Sequence, residues 1–444
     1  MNFQKINKTH VFKVAFAAIT LVFSTTLQAQ EMLSREAALG LTLEHNYDIR
    51  VAEKTLEAAE NSSSILNSGY LPTIEATGNA RVSVYEGENQ TANGDIHFNP
   101  TDAYNYNAGL GLNYVLFNGF GRMYNYKQLK ELYNLTELQA RQIIENTVLE
   151  LSTSYFLMAQ LTESVNIQKN ALSISNTRLE RATYSFEYGQ STQIDVLNAQ
   201  VDVNNDSISL RSTIQQLENA ERNLNLIMGR DIETEFTVDT NVTFNMPNAK
   251  DELVALSFER NVQIEQTNSQ LRNSEFALKA KQSGWFPAVS LNAGYDYAGS
   301  QNPASPFLKG NYNYGPQAGL SLTWNLFDGG TTRVISQNAR IEIDRKEILK
   351  EQTQFSVQRD VLNAYASYQN ALFVFNAEKA NLETSQKNFD RSDDLYKQGQ
   401  ITSIEFRQAQ LNLRNAQNNY SIAKYSAKYE ELKLKQLAGI LLEE

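Results

Sequence analysis

Residues 122–187 read RMYNYKQLKELYNLTELQARQIIENTVLELSTSYFLMAQLTESVNIQKNALSISNTRLERATYSFE, with no Gly and no Pro anywhere in the run. Those two residues are the usual breaks in a helix. The first to appear is Gly189, in the turn Tyr188-Gly189-Gln190-Ser191-Thr192, after which a second helical run leads back to Met228. At 1.5 Å per residue the first run predicts a helix roughly 100 Å long, whereas helices of compact domains span about 8–20 residues. Stepping by seven from Leu151 gives Met158, Val165, Leu172, Leu179 and Phe186, and the return run gives Val196, Val203, Leu210, Leu217 and Leu224. An apolar residue at every seventh position, held this long, marks a coiled coil. The companion column of Tyr155, Thr162, Lys169, Asn176 and Thr183 is half polar, so one flank is expected to meet water.

The hairpin occurs twice. Gly399-Gln400 follows Gly189-Gln190 by 210 residues, and Phe327-Asp328-Gly329 follows Phe117-Asn118-Gly119 by the same interval. Ala199-Gln200 and Ala409-Gln410 keep the offset. The heptad is copied through Val361, Tyr368, Phe375, Leu382, Phe389 and Tyr396, then Phe406, Leu413, Tyr420, Ala427 and Leu434. An offset this constant is an internal duplication.

Each long run is preceded by a shorter helical stretch, Leu33–Ser68 and Lys250–Ser283, ending at Leu71-Pro72 and Phe286-Pro287. There the period changes to two. Ile74, Ala76, Ala80, Val82 and Val84 alternate with polar residues, as do Tyr104, Tyr106, Leu110, Leu112, Tyr114 and Leu116. Val289, Leu291, Tyr295 and Tyr297, then Tyr312, Tyr314, Leu320, Leu322, Trp324 and Leu326, do the same in the second half. These are four strands with one strongly apolar face each. They fit a membrane β-barrel with a wet lumen better than a sandwich, because no second sheet is available to cover that face. Four strands cannot close a membrane barrel and open edges do not survive in lipid, so several chains must share one barrel. The stretches Glu86–Ala103 and Gly299–Asn311 are rich in Gly, Asn and Pro and are expected as exposed loops.

The predicted organisation is a signal segment 1–29, a first repeat 30–229, an equatorial linker 230–249 and a second repeat 250–444. The first repeat holds a helix, strands within 72–117 and a helical hairpin 121–228. The second holds a helix, strands within 287–327 and a hairpin 331–440. The linker carries a short strand, Glu235–Val238. Lys5, Lys8 and Lys13 before an apolar stretch ending in Leu27-Gln28-Ala29 fit a secretory signal, a single membrane anchor being the other reading. A net charge of −11 without a basic cluster argues against nucleic acid. With no Cys in the chain, disulfides, thiolate metal sites and cysteine nucleophiles are excluded.

At the turns, Thr192-x-x-Asp195 and Thr402-x-x-Glu405 have the form of capping boxes. If hairpin tips converge about an axis, the same acids form a ring able to attract cations. The pattern Tyr184-x4-Gly189-x5-Asp195-Val196-Leu197-x-Ala199-Gln200, its copy Tyr396-x2-Gly399-x5-Glu405-x3-Ala409-Gln410, and Phe-Asn/Asp-Gly before each long run resemble the TolC-type outer membrane efflux proteins, over nearly the whole chain. The resemblance implies a mainly α fold with a membrane β part: a homotrimer whose 12-stranded barrel continues as a 12-helix periplasmic tunnel. It implies a periplasmic gate at Asp195, Glu405 and Tyr396. It also implies adaptor contact at Gly189, Gln190, Thr192, Gly399, Gln400 and Thr402, with a periplasmic adaptor protein and an inner-membrane pump of RND, ABC or MFS type as partners. The chain departs from the family pattern at Ile401, where the prototype is basic, and at Gln408, where it is acidic.

The expected function is a passive outer membrane duct for small molecules or polypeptides. A secreted structural or adhesive coiled coil is the alternative, which accounts for the heptads but not for the strands. Enzymatic activity is not expected. His10, His45 and His97 are scattered, and neither a phosphate loop nor a G-x-S-x-G elbow occurs. Neither a metal nor a cofactor is expected.

Overall fold

The computed structural model describes residues 31–91, 94–246, 249–301 and 310–443. The expected signal segment lies outside the described residues. Elements follow in the order β1 (Glu31–Leu33), α1 (Arg35–His45), α2 (Tyr47–Ser62), β2 (Thr73–Thr91), β3 (Gly94–Asn118), α3 (Gly121–Glu187), α4 (Gln193–Ile227) and β4 (Phe236–Val238). Then come α5 (Lys250–Arg260), α6 (Val262–Gln282), β5 (Ala288–Gln301), β6 (Gly310–Thr323), α7 (Thr331–Lys397) and α8 (Ser403–Ala438).

The long helices α3 and α7 each run 67 residues. The Phe-Asn/Asp-Gly motif starts them. Asn118 Oδ1 accepts from the Arg122 amide at 3.2 Å, and Asp328 Oδ2 from the Thr332 amide at 2.8 Å. Each thereby satisfies a donor that a helix leaves open at its first turn.

The shorter helical stretches differ from the expectation. Each is two helices, broken at Asn46 and Asn261. The break has a partner in the return helix: Asn46 Nδ2 donates to the Ile227 carbonyl at 2.8 Å, and Asn261 Nδ2 to the Leu437 carbonyl at 2.9 Å. Gly229 and Gly439 sit where any Cβ would strike the backbone of His45 and Arg260 respectively. The amide thus satisfies a C-terminal carbonyl of α4 or α8 instead of continuing its own helix, and the duplication has kept the device in both halves.

The chain forms two compact units. The first comprises the described residues of Met1–Tyr47 with Thr147–Asn245 and Tyr368–Glu431. Its core holds Leu151, Tyr155, Met158 and Val165 of α3, Ala199 and Leu224 of α4, and Phe406, Leu413 and Ala427 of α8. The linker strand β4 is present and pairs in parallel with β1. The buried Tyr155 hydroxyl donates to the Leu33 carbonyl at 2.8 Å and accepts from the Asp239 amide at 3.0 Å. Lys428 Nζ donates to the Thr243 carbonyl at 2.9 Å, so the linker is fixed to α8 through its own backbone.

The second unit comprises Asp48–Asn146, Met246–Ser367 and the described part of Leu432–Glu444. It contains an antiparallel sheet of order β2-β3-β5-β6. Two expectations are corrected here. The described residues of Glu86–Ala103 are strand and not loop: β2 and β3 stay paired out to Thr91 and Gly94, with a register shift between Tyr85 and Gly87, while most of the other expected loop, Gly299–Asn311, lies outside the described residues. Backbone pairing satisfies this polar, Gly-rich stretch as well as water would. β6 ends at Thr323 rather than reaching Leu326, because its neighbour β5 begins at Ala288, opposite Thr323, and residues 324–327 have no strand to pair with.

Candidate functional site at the sheet face and the hairpin turns

Between its two register shifts the ladder sorts the sheet's side chains by face. Ile74 lies opposite Leu112, Ala76 opposite Leu110, Leu112 opposite Ala293, Leu110 opposite Tyr295, and Leu291 opposite Leu320. All therefore share one face. The other face carries Glu75, Thr77, Asn107, Asn113, Asn292, Asp296 and Gln317. The apolar face is bare: Ile74 is 74% exposed, Leu320 71% and Tyr314 71%. On it Tyr297 stacks with Tyr106 and with Tyr314, ring centroids 6.3 Å apart in each pair. Tyr114 lies at the other end of β3. From Tyr104 to Tyr114 the strand advances roughly 33 Å, which at barrel tilt becomes about 25 Å, the height of the apolar band in outer membrane barrels. The polar face holds a shallow hollow of about 440 Å³ between Thr73, Asn113, Asp296 and Gln317. Glycine lets the strands close up there: a Cβ on Gly109 would meet the Asp296 carboxylate.

The hairpin turns lie in the first unit. Gly189 and Gly399 take φ of 71° and 72°, a conformation open to glycine at no steric cost, and each ends its long helix. Gln190 and Gln400 return their amides to the Ser185 and Leu395 carbonyls, at 2.7 and 2.9 Å. Asp195 Oδ2 accepts from the Thr192 amide at 3.1 Å and from its hydroxyl at 2.8 Å. Glu405 Oε2 accepts from the Thr402 amide and hydroxyl, both at 2.8 Å, while its own amide donates to Thr402 Oγ1 at 3.2 Å. The Thr402 amide, then its hydroxyl, holds the Glu405 carboxyl below its usual range. Each acid is thus tied to its own turn. Tyr396 is half-buried and braced by its neighbours. Its ring lies parallel to Phe406 with centroids 4.7 Å apart, and the Arg181 guanidinium covers it at 4.5 Å. Ile401 is half-buried, and Gln408 bonds Asn412 at 2.8 Å.

A buried charge cluster above the turns was not anticipated from the sequence. Asp206, 1% exposed, accepts from Arg407 at 2.6 and 2.9 Å, from Arg414 at 3.1 Å and from Ser175 at 2.5 Å. Burial pushes its carboxyl up, but the hydrogen bonds from Arg407 and Ser175 and the charges of Arg407 and Arg414 outweigh that, and the net shift is downward. Asp202 pairs with Arg178 and lies 3.5 Å from Arg407. The cluster binds the return helix of one hairpin to that of the other. Its sequence signal is a second heptad column: Ala199, Asp206 and Thr213 are all buried at intervals of seven, with an acid where an apolar residue belongs, and Arg407 and Arg414 repeat at the same interval.

The family described as "Outer membrane efflux protein" matches residues 38–230 and 253–440. The probable outer membrane lipoprotein SilC of Salmonella typhimurium is 21% identical over 89% of this chain and 83% of its own. The outer membrane efflux protein BepC of Brucella suis is 20% identical over 90% and 84%. The Campylobacter jejuni CmeC outer membrane channel superposes with a TM-score of 0.74 at 16% identity, covering 92% of this chain and 86% of that one. Both halves of the duplication fall within the family match, and the chain belongs to the TolC-type outer membrane efflux proteins and resides in the bacterial outer membrane.

Proposed function

We propose that three copies of the chain pool their strands into one 12-stranded barrel, continued by a 12-helix tunnel, and so form a passive duct for small toxic molecules or polypeptides. The observation that carries this reading is the open four-stranded sheet with a bare apolar face. Such a face is at home in hydrocarbon, but β2 and β6 are unpaired edges, and lipid tolerates no unpaired edge. A second observation supports it. On α7, Val334, Ile341, Ile348 and Phe355 recur every seven residues and all are more than half exposed. That is a coiled-coil seam with its partner missing from the chain. In this reading energy comes from an inner-membrane pump through a periplasmic adaptor, which meets the turns at Gly189, Gln190, Thr192, Gly399, Gln400 and Thr402. Asp195 and Glu405 ring the periplasmic mouth with negative charge, and Tyr396 narrows it. The bare sheet face does not suit a secreted fibre.

The test is single-channel recording in planar bilayers. The pair Asp195→Ala with Glu405→Ala is expected to raise conductance and to weaken block by multivalent cations. Conductance and block equal to the parent protein's would remove the gating role from these acids. A monodisperse monomer, soluble without detergent, would remove the duct itself.

A further inference from the structure

Between α3 and α7, close to the turns, lies a cavity of about 320 Å³ lined by Arg178, Arg181, Phe389, Tyr396, Lys397 and Phe406. The Arg178 side chain is 1% exposed. Its Nη2 is paired with Asp202, but Nε and Nη1 have no acceptor among the described residues. A guanidinium keeps its charge at any physiological pH and offers five donors, and donors left open away from water are costly. The surrounding acids do not supply the missing acceptor. Asp206 is taken by Arg407, Arg414 and Ser175, and Asp393 by Lys397. Here Arg178, Arg181, Lys397, Arg407 and Arg414 stand against Asp202, Asp206, Asp393 and the charge of Asp394. That leaves an excess of positive charge in a chain whose net charge is −11. The wall also holds Asp393, paired with Lys397, and an aromatic part in which Phe389 and Tyr396 both lie close to Phe406, at 5.6 and 4.7 Å between centroids.

We propose that this cavity binds a small aromatic carboxylate, its ring against the Phe389–Tyr396–Phe406 wall and its anionic end toward Arg178 and Arg181. The volume is at the lower end for ligand sites, which favours a single-ring acid over a peptide. The site stands independently of the duct reading, since it needs only one chain.

The test is calorimetric titration of sodium benzoate into the full chain in detergent, with gluconate as bulk anion at fixed ionic strength. Benzyl alcohol and benzylamine serve as neutral and cationic controls of the same shape. One benzoate per chain is expected, with Kd of about 1 mM or tighter, and neither control should bind. Arg178→Met and Arg181→Met are each expected to weaken benzoate by roughly tenfold or more, the loss of a charged hydrogen bond. If Arg178→Met fails to fold, Arg181→Met decides alone, because that side chain is only partly buried. No saturable heat, equal binding of benzyl alcohol, or undiminished binding by Arg181→Met would each overturn the proposal.

Discussion

The two long helices carry the same column in opposite ways. On α3 it reads Glu131, Leu138, Glu145; on α7, 210 residues later, it reads Ile341, Ile348, Phe355. The acids of α3 are buried at 6% and 3% exposure, whereas the apolar residues of α7 are more than half exposed. The neighbours account for the inversion. Glu131 accepts from Arg272 of α6 at 2.7 and 3.0 Å. Glu145 accepts from Arg141 at 2.9 Å, and Arg141 in turn reaches Glu265 and the Arg260 carbonyl. α3 has been covered from within the chain and its column has become polar and bonded. α7 keeps an apolar column that the described residues leave more than half exposed. A duplicated register therefore fixes the spacing of contacts but not their chemistry.

Giving α7 the chemistry of α3 is the strongest way to break this contrast. Ile341→Glu with Phe355→Glu copies Glu131 and Glu145 onto the exposed column without an arginine from a second helix to meet them; Arg345 and Arg359, one turn on, are already paired with Glu342 and Asp360. The expected outcome is loss of the proposed trimer in detergent, measured by light scattering, with helix content retained. A trimer that survived would mean the seam lies elsewhere. The next effect is smaller and local to α3. Glu131→Gln leaves Arg272 an amide oxygen but removes the negative charge of the pair, and is expected to cost about 1–2 kcal/mol at pH 7, reduced from the buried-pair range because Arg272 is half exposed. Burial pushes the Glu131 carboxyl up, but Arg272, Ser269 and Asn134 bring it net below its usual range. A lowered carboxyl contributes stability above its unfolded pKa and loses it as pH falls through the folded one. The difference between parent and variant in thermal midpoint should therefore shrink below the ordinary carboxylate range and vanish in strong acid. The smallest effect is at Glu145, where burial dominates and raises the carboxyl despite Arg141. There the ionised form is the strained one, and the strain is relieved as pH falls through the raised pKa. Glu145→Gln is expected to be within about 1 kcal/mol of neutral, with any gain over the parent largest at pH 7 and absent in acid. A loss growing toward neutral pH would reverse the sign assigned to burial at this site.

Much of this was legible beforehand, and for one reason: whatever depends on neighbours three, four or two residues away leaves a period in the sequence. The helices between Gly121 and Ile227 and between Thr331 and Ala438 follow from such a period, as do the alternating strand faces and the caps at Thr192 and Thr402. The turns at Gly189 and Gly399 were legible because few residues other than glycine accept that backbone. The breaks at Asn46 and Asn261 were not: Asn261 caps the helix that follows it, but both side-chain amides also serve a carbonyl about 180 residues away, which no local pattern records. The paired hairpin through Glu86–Ala103 was hidden by its own composition. The Asp206 cluster was hidden because an acid in a heptad column reads as an interruption until Arg407 and Arg414 are seen to close on it.

By itself the sequence determined the duplication, the lengths of the helices and the two faces of every strand, because each is a short-range consequence of residue order. Only the tertiary structure decided which copy of a column is sealed and which is left bare, which carboxylates are driven up or down, and where a buried guanidinium lacks an acceptor. Those outcomes depend on which distant side chain occupies the adjoining space, and no local period records that.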